Sequence, residues 1–180
     1  MIDGEDKLIE DAVQGEASAF GALYDHYQPK IYRFVVIKVS RREEAEDLTH
    51  QVFLDAWTHM PGYQRMGFPF SSWLYRIARN KVIDHYRTKK DHLAIDDVDP
   101  EQFAAAAPGD AELDAAFTLE RVRSAIAKLK PEYQDIIMMR FVEDLSLKET
   151  AHAMEKSEGA IKLMQHRAIK QLKQLLTENK

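Results

Sequence analysis

The stretch Phe70-Ser-Ser-Trp-Leu-Tyr-Arg-Ile-Ala-Arg-Asn-Lys-Val-Ile-Asp-His-Tyr-Arg87 combines aromatic rings with positive charge over the length of one helix. Residues 71–90 carry six cations and one acid, which gives this segment a net charge of +5. Trp73, Tyr75 and Tyr86 lie among the cations. Because rings stack on unpaired bases and cations follow a phosphate backbone, the pattern is that of a surface for single-stranded nucleic acid. An amphipathic helix with an apolar core face and solvated charges has the same pattern.

Helical periodicity continues on the N-terminal side of this stretch. Apolar residues recur every three or four positions around Pro29, which predicts a helix with a kink or a boundary at the proline. A second helix is predicted from Arg42 to His59. A loop then leads to the basic aromatic helix, for which Ser71 or Ser72 is the expected N-cap.

The C-terminal third of the chain is also predicted to be helical. Leu119 begins an apolar stripe, and Pro131 is expected as the first residue of the next helix. Ser146 and Glu149 have the spacing of a capping box, and Ser157 is an expected N-cap. A short helix, a tight turn and a longer helix have the lengths that are typical of a helix-turn-helix. The predicted fold class is therefore all-α.

The overall net charge of −5 hides a strong segregation along the chain. Residues 1–90 are neutral, residues 91–120 carry nine acids and no base, and residues 121–180 have a net charge of +4. The acidic segment has little periodicity, which is typical of a flexible linker. We therefore expect a first helical domain, a flexible acidic linker and a second helical domain at residues 1–88, 89–113 and 114–180.

The composition is that of a soluble globular protein, with 45% apolar and 31% charged residues. The chain has no cysteine, which excludes disulfides and cysteine-ligated zinc and is compatible with a reducing compartment. The acidic N-terminal sequence lacks the pattern of a signal peptide, and no apolar run is long enough to span a membrane. We expect a cytoplasmic protein.

The last predicted helix has two different faces. If its apolar stripe faces the core, the opposite face presents Gly159, Lys162, Leu163, His166, Arg167 and Lys170. A recognition helix needs this division, because its apolar back holds it to the domain while long polar side chains enter the major groove. A plain helical hairpin with a solvated basic face is the alternative, and we favour DNA binding.

Three sequence motifs follow one another along the chain. They are Glu44-Ala-Glu-Asp-Leu-Thr-His-Gln-Val-Phe-Leu-Asp-Ala-Trp57, then Trp73-Leu-Tyr-Arg-Ile-Ala-Arg-Asn-Lys-Val-Ile-Asp-His-Tyr-Arg87, then Ser157-Glu-Gly-Ala-Ile-Lys162 with His166-Arg-Ala168. In this order they resemble the extracytoplasmic-function (group IV) sigma factors of bacterial RNA polymerase. The resemblance implies a sigma-2-like domain that binds polymerase and the promoter −10 element, followed by a sigma-4-like domain that binds the −35 element.

The resemblance also assigns roles to individual residues. Contacts to the polymerase β′ clamp helices are expected from Asp47, Gln51, Phe53 and Trp57. Capture of the −10 strand is expected from a loop and the helix after it, through Gln64, Arg65, Phe68, Phe70, Arg76, Arg79, Asn80 and Lys81. Contacts to the −35 duplex are expected from Ser157, Gly159, Lys162, Leu163, His166, Arg167 and Lys170.

The implied partners are core RNA polymerase, through its β′ clamp helices and β flap, promoter DNA and an anti-sigma factor. We expect no catalytic residue, metal or cofactor, because the chain has no Gly-rich phosphate loop and no nucleophile motif. Two positions depart from the family pattern. His50-Gln51 stands where the family usually has Gln-Glu, and Glu155 stands in a turn that favours Gly. A positive φ at Glu155 would cost strain.

Two other functions are alternatives to promoter recognition. A stand-alone helix-turn-helix regulator would bind a duplex without polymerase. A carboxylate-bundle metalloenzyme is suggested by Glu149-x-x-His152 and Asp47-x-x-His50, which have the ligand spacing of such sites. That reading is disfavoured because the two pairs fall in different predicted domains and Glu149 is also expected in the capping box.

Overall fold

A computed structural model describes residues 2–39, 41–92 and 110–178. Within these ranges every regular element is helical, which confirms the predicted fold class. The α-helices are α1 (Glu5–Val13), α2 (Ala17–Val36), α3 (Arg42–His59), α4 (Phe70–His92), α5 (Asp110–Ala127), α6 (Pro131–Ile137), α7 (Leu147–Met154) and α8 (Glu158–Glu178). A 3-10 turn at Met60–Gly62 follows α3, and a π turn at Met138–Val142 follows α6.

The first domain is a bundle of α1 to α4 around an apolar core. Helix α2 contributes Leu23, Tyr27, Ile31 and Phe34, which are spaced four, four and three residues apart and are buried on one face. The N-terminal helix α1 is joined to this core by a buried polar contact, in which the Tyr27 hydroxyl donates to Glu5 Oε1. Burial raises the pKa of Tyr27, and the hydrogen bond to Glu5 raises it further.

Helix α2 passes through Pro29 without ending. Proline inside a helix costs about 3 kcal/mol, because it removes a donor and its ring meets the preceding turn. Burial of one large apolar side chain contributes about 1.5–3 kcal/mol, and α2 has buried residues on both sides of the proline. The apolar stripe therefore outweighs the proline, and the helix boundary that the sequence allowed at this position is wrong.

The second domain contains the predicted helix-turn-helix in α7 and α8. Pro131 is the first residue of α6, as expected. The Ser146 hydroxyl accepts from the Glu149 amide while the Glu149 carboxylate accepts from the Ser146 amide, so the capping box is confirmed. The Ser157 hydroxyl accepts from the Ala160 amide at 3.2 Å and caps α8. Capping residues close to the helix ends therefore determine where the helices begin in this part of the chain.

The two domains pack against each other through α4 and α7. Leu74 and Ala78 of α4 are fully buried, and they belong to the same apolar cluster as Ala153 and Met154 of α7. Helix α4 thus supplies one face to the first domain and another to the second. A smaller cluster of Ile126, Leu129, Ile137 and Ala168 fills the interior of the second domain.

Several sequence expectations need correction or cannot be assessed. Helix α4 begins at Phe70, so Ser71 and Ser72 lie inside it and neither is the N-cap. Leu119 is 70% exposed, so it does not extend the buried stripe of α5. The expected linker overlaps the ends of α4 and α5, and its central residues 93–109 lie outside the described ranges. No helix among the described residues is long and apolar enough to cross a membrane.

The turn before α8 holds a non-glycine residue in a left-handed conformation. Glu155 has φ 55° and ψ 43°, and its amide donates to carbonyls of α7. This is the geometry in which glycine commonly ends a helix. The expected strain at this position is therefore present, because an L-residue there brings its Cβ close to the backbone at a cost of about 1–2 kcal/mol.

Replacing Glu155 with Gly should stabilise the protein. The gain from removing the left-handed strain exceeds the added unfolded-state entropy of glycine, about 0.5–1 kcal/mol, so a net gain of roughly 0.5–1 kcal/mol is expected. Chemical denaturation measures it. Glu155→Ala is the control, since it removes the carboxylate but keeps Cβ. Equal stabilisation by both variants would assign the effect to charge and not to the backbone.

Candidate nucleic-acid and protein interfaces

The outer face of α3 is exposed to solvent. Asp47 and Gln51 are exposed one turn apart, and Leu54, which continues this face, is 65% exposed. Phe53 points inward, where its ring lies 4.8 Å from that of Tyr24. Two of the predicted polymerase contacts are thus on the surface, and the sequence prediction omitted Leu54 although the spacing from Asp47 places it on the same face.

The fourth predicted polymerase contact on α3 is half-buried. The Trp57 ring packs against Phe20 of α2, with ring centroids 5.0 Å apart. Trp57 and Phe53 therefore hold α3 against α2, and their aromatic packing fixes which side of α3 faces outward.

The loop between α3 and α4 forms a cavity of about 320 Å³. Its lining is aromatic, polar and basic, and consists of His59, Gly62, Tyr63, Gln64, Met66, Phe68, Pro69, Trp73, Arg76 and His152. A planar group could stack on such rings while the polar side chains bind its edge. The predicted residues Gln64, Phe68 and Arg76 meet here, and nine of the ten lining residues come from the first domain.

Two other predicted loop residues face elsewhere. Phe70 is 1% exposed and lies beneath the loop, against Tyr63 and Trp73 at centroid distances of 5.5 and 5.4 Å. Arg65 pairs with Asp6 of α1 on the surface. Phe70 therefore supports the loop from inside, and α1 holds it from outside.

The cations of α4 are distributed over different partners. Lys81 pairs with Asp55 of α3 at 2.7 Å, and Arg79 pairs with Asp135 of α6 at 3.1 Å. Asn80 is exposed. Tyr75 is buried beside Phe34, with ring centroids 5.3 Å apart, so the expectation that its ring can stack on a base is wrong. The sequence pattern overstated the surface available for a nucleic acid strand.

Helix α7 of the second domain covers the loop. The rings of His152 and Phe68 stack with their centroids 3.9 Å apart and an interplanar angle of 19°. The Ser72 hydroxyl donates to the Glu149 carbonyl at 2.9 Å and lies 3.1 Å from His152 Nδ1. The hydroxyl has only one proton, so both hydrogen bonds can form together only when His152 Nδ1 is protonated and donates to the Ser72 oxygen. Burial lowers the pKa of His152, and the charge of Arg76 lowers it further.

A buried ion cluster holds the domains together beside this contact. Asp135 of α6 lies 2.7 Å from Lys38 Nζ and 3.1 Å from Arg79 Nε, one carboxylate oxygen to each cation. The side chains of Lys38, Arg79 and Asp135 are 3%, 14% and 8% exposed. Burial lowers the pKa of Lys38, and the Asp135 carboxylate opposes that shift.

A second ion pair crosses the same interface. Arg33 of α2 donates to Glu143 Oε1 at 2.9 Å, and the Glu143 side chain is only 4% exposed. Tyr75 lies nearby, where burial and the Glu143 carboxylate raise the pKa of its hydroxyl. Sequence reasoning found none of these interdomain partners, because residues so far apart along the chain leave no local pattern.

The outer face of α8 is presented as the sequence predicted. Ile161 and Ala168 are buried, whereas every predicted −35 contact is exposed: Ser157, Gly159, Lys162, Leu163, His166, Arg167 and Lys170. The helix is anchored by its apolar side and by the capped turn before it. This division leaves a continuous polar and basic surface, as insertion into a major groove requires.

The residues of the metal alternative are occupied elsewhere. Glu149 accepts a hydrogen bond from the Ser146 amide, and His152 contacts Phe68 and Ser72. Within the ranges that the structure describes, no group of three or more histidine, aspartate or glutamate side chains could hold a metal ion.

Known proteins resemble this chain in both domains. The model for Sigma-70 region 2 matches residues 23–92, and that for Sigma-70, region 4 matches residues 119–172. The chain is 36% identical to the ECF RNA polymerase sigma factor BldN of Streptomyces coelicolor, over 96% of this chain and 66% of BldN. It is 30% identical to the ECF RNA polymerase sigma factor SigD of Mycobacterium tuberculosis, over 93% of this chain and 82% of SigD.

The fold is also similar to a solved structure. CnrH, in complex with the cytosolic domain of CnrY, has a TM-score of 0.73 and 24% identity, over 96% of this chain and 97% of CnrH. Two family models that cover most of the chain, together with relatives of one kind, settle the classification. The chain belongs to the sigma-70 family of RNA polymerase sigma factors, as a member of its extracytoplasmic-function (ECF) class.

Proposed function

We propose that this chain is a group IV sigma factor that acts in the cytoplasm and directs core RNA polymerase to promoters. Residues 1–88 bind polymerase and capture the −10 strand, and residues 114–180 bind the −35 duplex. The chain carries no catalysis of its own. Polymerase supplies the chemistry, and the sigma factor supplies position and strand opening. Residues 89–113 connect the two activities.

The observation that carries the proposal is that α8 has one buried apolar side and one exposed polar side. Its buried side is fixed by Ile161 and Ala168, and its outer side presents Lys162, His166 and Arg167 without obstruction. Arginine can bind guanine through two hydrogen bonds, and lysine can bind guanine edges or phosphates. The N-terminal residues of the helix, Ser157 and Gly159, lie where a recognition helix approaches the bases and backbone.

The loop cavity supports capture of the −10 strand. Opening a duplex requires an unstacked base to be held, which costs a few kcal/mol. Phe68 supplies an aromatic ring, which is stacked on His152 in this structure, Gln64 and Arg76 supply hydrogen-bonding groups, and the volume of about 320 Å³ accommodates a base. Stacking of a base on an aromatic ring contributes about 1–3 kcal/mol, which can offset much of that cost.

The exposed face of α3 supports docking on polymerase. Asp47, Gln51 and Leu54 combine a charge, an amide and an apolar side chain on one side of a helix. The β′ clamp helices are the proposed partner of this face, and the β flap that of the second domain. An anti-sigma factor is the proposed regulator, and CnrH, similar in fold, was solved with the cytosolic domain of CnrY.

Core polymerase should start transcription at discrete sites only when this chain is present. Run-off transcription on genomic fragments, with and without the chain, measures this dependence. Asp47→Ala should weaken binding to core, because it removes an exposed charge from the docking face. Asp25→Ala is the matched control, an exposed acid on α2. Tight duplex binding without core, and no association with core, would instead identify a stand-alone regulator.

Arg167→Ala should weaken binding to a duplex that carries the −35 region of a start site mapped by run-off. The expected loss is about 1–3 kcal/mol if Arg167 makes a two-bond base contact. Fluorescence anisotropy at several salt concentrations measures it. Lys128→Ala removes one exposed cation outside α8 and should have a much smaller effect. Similar losses in the two variants would argue against base reading by α8.

Phe68→Ala should impair strand opening and leave −35 duplex binding unchanged. The variant removes the ring on which an unpaired base is proposed to stack, a loss of about 1–3 kcal/mol. Permanganate reactivity of thymines in the polymerase–promoter complex reports the melted strand. Ile83→Ala is the control, because Ile83 is exposed on α4 away from the loop. Normal melting with the Phe68 variant would remove the loop from the mechanism.

A further inference from the structure

The outer face of α8 carries one apolar side chain among its charged and polar ones. Leu163 is 52% exposed, and over residues 158–177, the part of α8 whose exposure the structure describes, it is the only large apolar residue on the surface. It follows the buried Ile161 by two residues, which places it about 200° around the helix from that residue. It belongs to neither of the two apolar clusters. Leu163 therefore has no part in holding α8 to its domain.

Leu163 is aligned with the arginine that is proposed to read bases. Gly159 precedes it by four residues and Arg167 follows it by four, so the three exposed positions form one row along the outer face of α8. Arginine can pair with two acceptors of guanine, whereas the side chain of leucine can neither donate nor accept a hydrogen bond. The apolar group that a base pair presents in the major groove is the 5-methyl group of thymine. An apolar side chain in this row is therefore matched to that group.

We propose that Leu163 recognises the 5-methyl group of a thymine in the −35 duplex and so selects an A·T pair at one position. The inference rests on the proposed role of α8 as the −35 recognition helix. Contact with the methyl group removes apolar surface of both partners from water. Against the polar edge of another base, the same leucine would cover a donor or acceptor without replacing its hydrogen bond to water. The leucine thus attracts thymine and disfavours the alternatives.

A glycine one turn before Leu163 lets α8 approach the base pairs. A Cβ added at Gly159 would meet no atom within 4 Å, and Gly159 is not among the glycines with a positive φ. Neither packing within the chain nor backbone conformation therefore requires glycine at this position, although glycine destabilises a helix relative to alanine. Glycine does allow a backbone to come close to a ligand. The missing side chain leaves the first turn of α8 free to lie against the DNA, which brings Leu163 within reach of the base edges.

Removal of single methyl groups from the DNA tests the contact. Each thymine in the −35 region of a start site mapped by run-off transcription is replaced in turn by uracil, which lacks only the 5-methyl group. Holoenzyme, formed from core polymerase and the full-length chain, is titrated into each labelled promoter duplex. The ratio of the dissociation constants for the uracil and thymine duplexes reports the methyl contact.

The unsubstituted chain should bind one of the uracil duplexes about fourfold more weakly than the thymine duplex, which is the effect of burying one methyl group. Leu163→Ala and Leu163→Asn should abolish this difference at the same position. Lys162→Ala is the matched control, because it removes an exposed cation from the neighbouring row of α8. It should weaken binding to both duplexes and keep their ratio. Comparing two proteins on two duplexes cancels any effect of uracil on DNA shape.

A methylated cytosine provides an independent probe of the same contact. Replacing the sensitive A·T pair by G·C, with cytosine in place of thymine, changes several groups at once, but methylation of that cytosine at C5 adds back only the methyl group. The methylated duplex should bind the unsubstituted chain about fourfold more tightly than the unmethylated one. With Leu163→Ala the two duplexes should bind equally. A gain that persists in this variant would assign the methyl contact to another side chain.

Gly159→Ala should change stability and DNA binding in opposite directions. The denaturation midpoint in urea should rise, because alanine favours the helix and its Cβ has open space. Binding of the holoenzyme to the −35 duplex should weaken severalfold, because the added methyl group separates the first turn from the DNA. Gly21→Ala is the matched control, since a Cβ at Gly21 of α2 also meets no atom within 4 Å. It should raise the midpoint and leave DNA binding unchanged.

Failure of the methyl contact can be distinguished from failure of the proposed function. Equal binding of all uracil and thymine duplexes, or a difference that Leu163→Ala preserves, would overturn the contact, and so would a −35 region without an A·T pair. Unchanged DNA binding by Gly159→Ala would overturn the close approach of the first turn. If α8 is not the reading helix, Arg167→Ala will leave duplex binding unaffected. If the chain does not direct polymerase to promoters, no discrete start site will be found with core polymerase.

Discussion

The arrangement of the two domains depends on one buried carboxylate. Asp135 gives one oxygen to Lys38 and the other to Arg79, so three segments of the chain meet at a single side chain. Removing one member of a buried ion cluster typically costs about 3–5 kcal/mol, because the remaining charges are left without a partner. The packing of α4 on α7, the stacking of His152 on Phe68 and the pairing of Glu143 with Arg33 lie at the same interface.

The all-α class and the second domain could be predicted because their signals are local. The capping box joins Ser146 to Glu149, the cap of α8 joins Ser157 to Ala160, and Pro131 begins α6, each within a few residues of sequence. The left-handed turn at Glu155 could also be expected from its place between two helices. The helix boundary that the sequence allowed at Pro29 does not form, because burial of apolar residues on both sides outweighs the local effect of the proline.

The candidate sites could be predicted only where exposure follows from helical spacing. On α8, an apolar stripe predicts the opposite face, and all seven predicted residues are exposed. On α3 and α4, the aromatic residues Phe53, Phe70 and Tyr75 lie in the core. The sequence could not show this, because the same aromatic residue can serve either as a surface contact or as part of the packed interior. The interdomain partners had no sequence signal. In the sequence, a buried acid such as Asp135 cannot be distinguished from a surface acid, because the cations that bind it lie far away along the chain.

The N-terminal helix α1 contacts both the core of the first domain and the loop between α3 and α4, which its sequence alone does not suggest. The carboxylate of Glu5 accepts a hydrogen bond from the Tyr27 hydroxyl in the core, and the next residue, Asp6, pairs with Arg65 in the loop between α3 and α4. Two adjacent acidic residues of α1 therefore connect the core of the first domain to the loop between α3 and α4. A change in the position of α1 would therefore reach Arg65, 59 residues further along the chain, through a single surface ion pair.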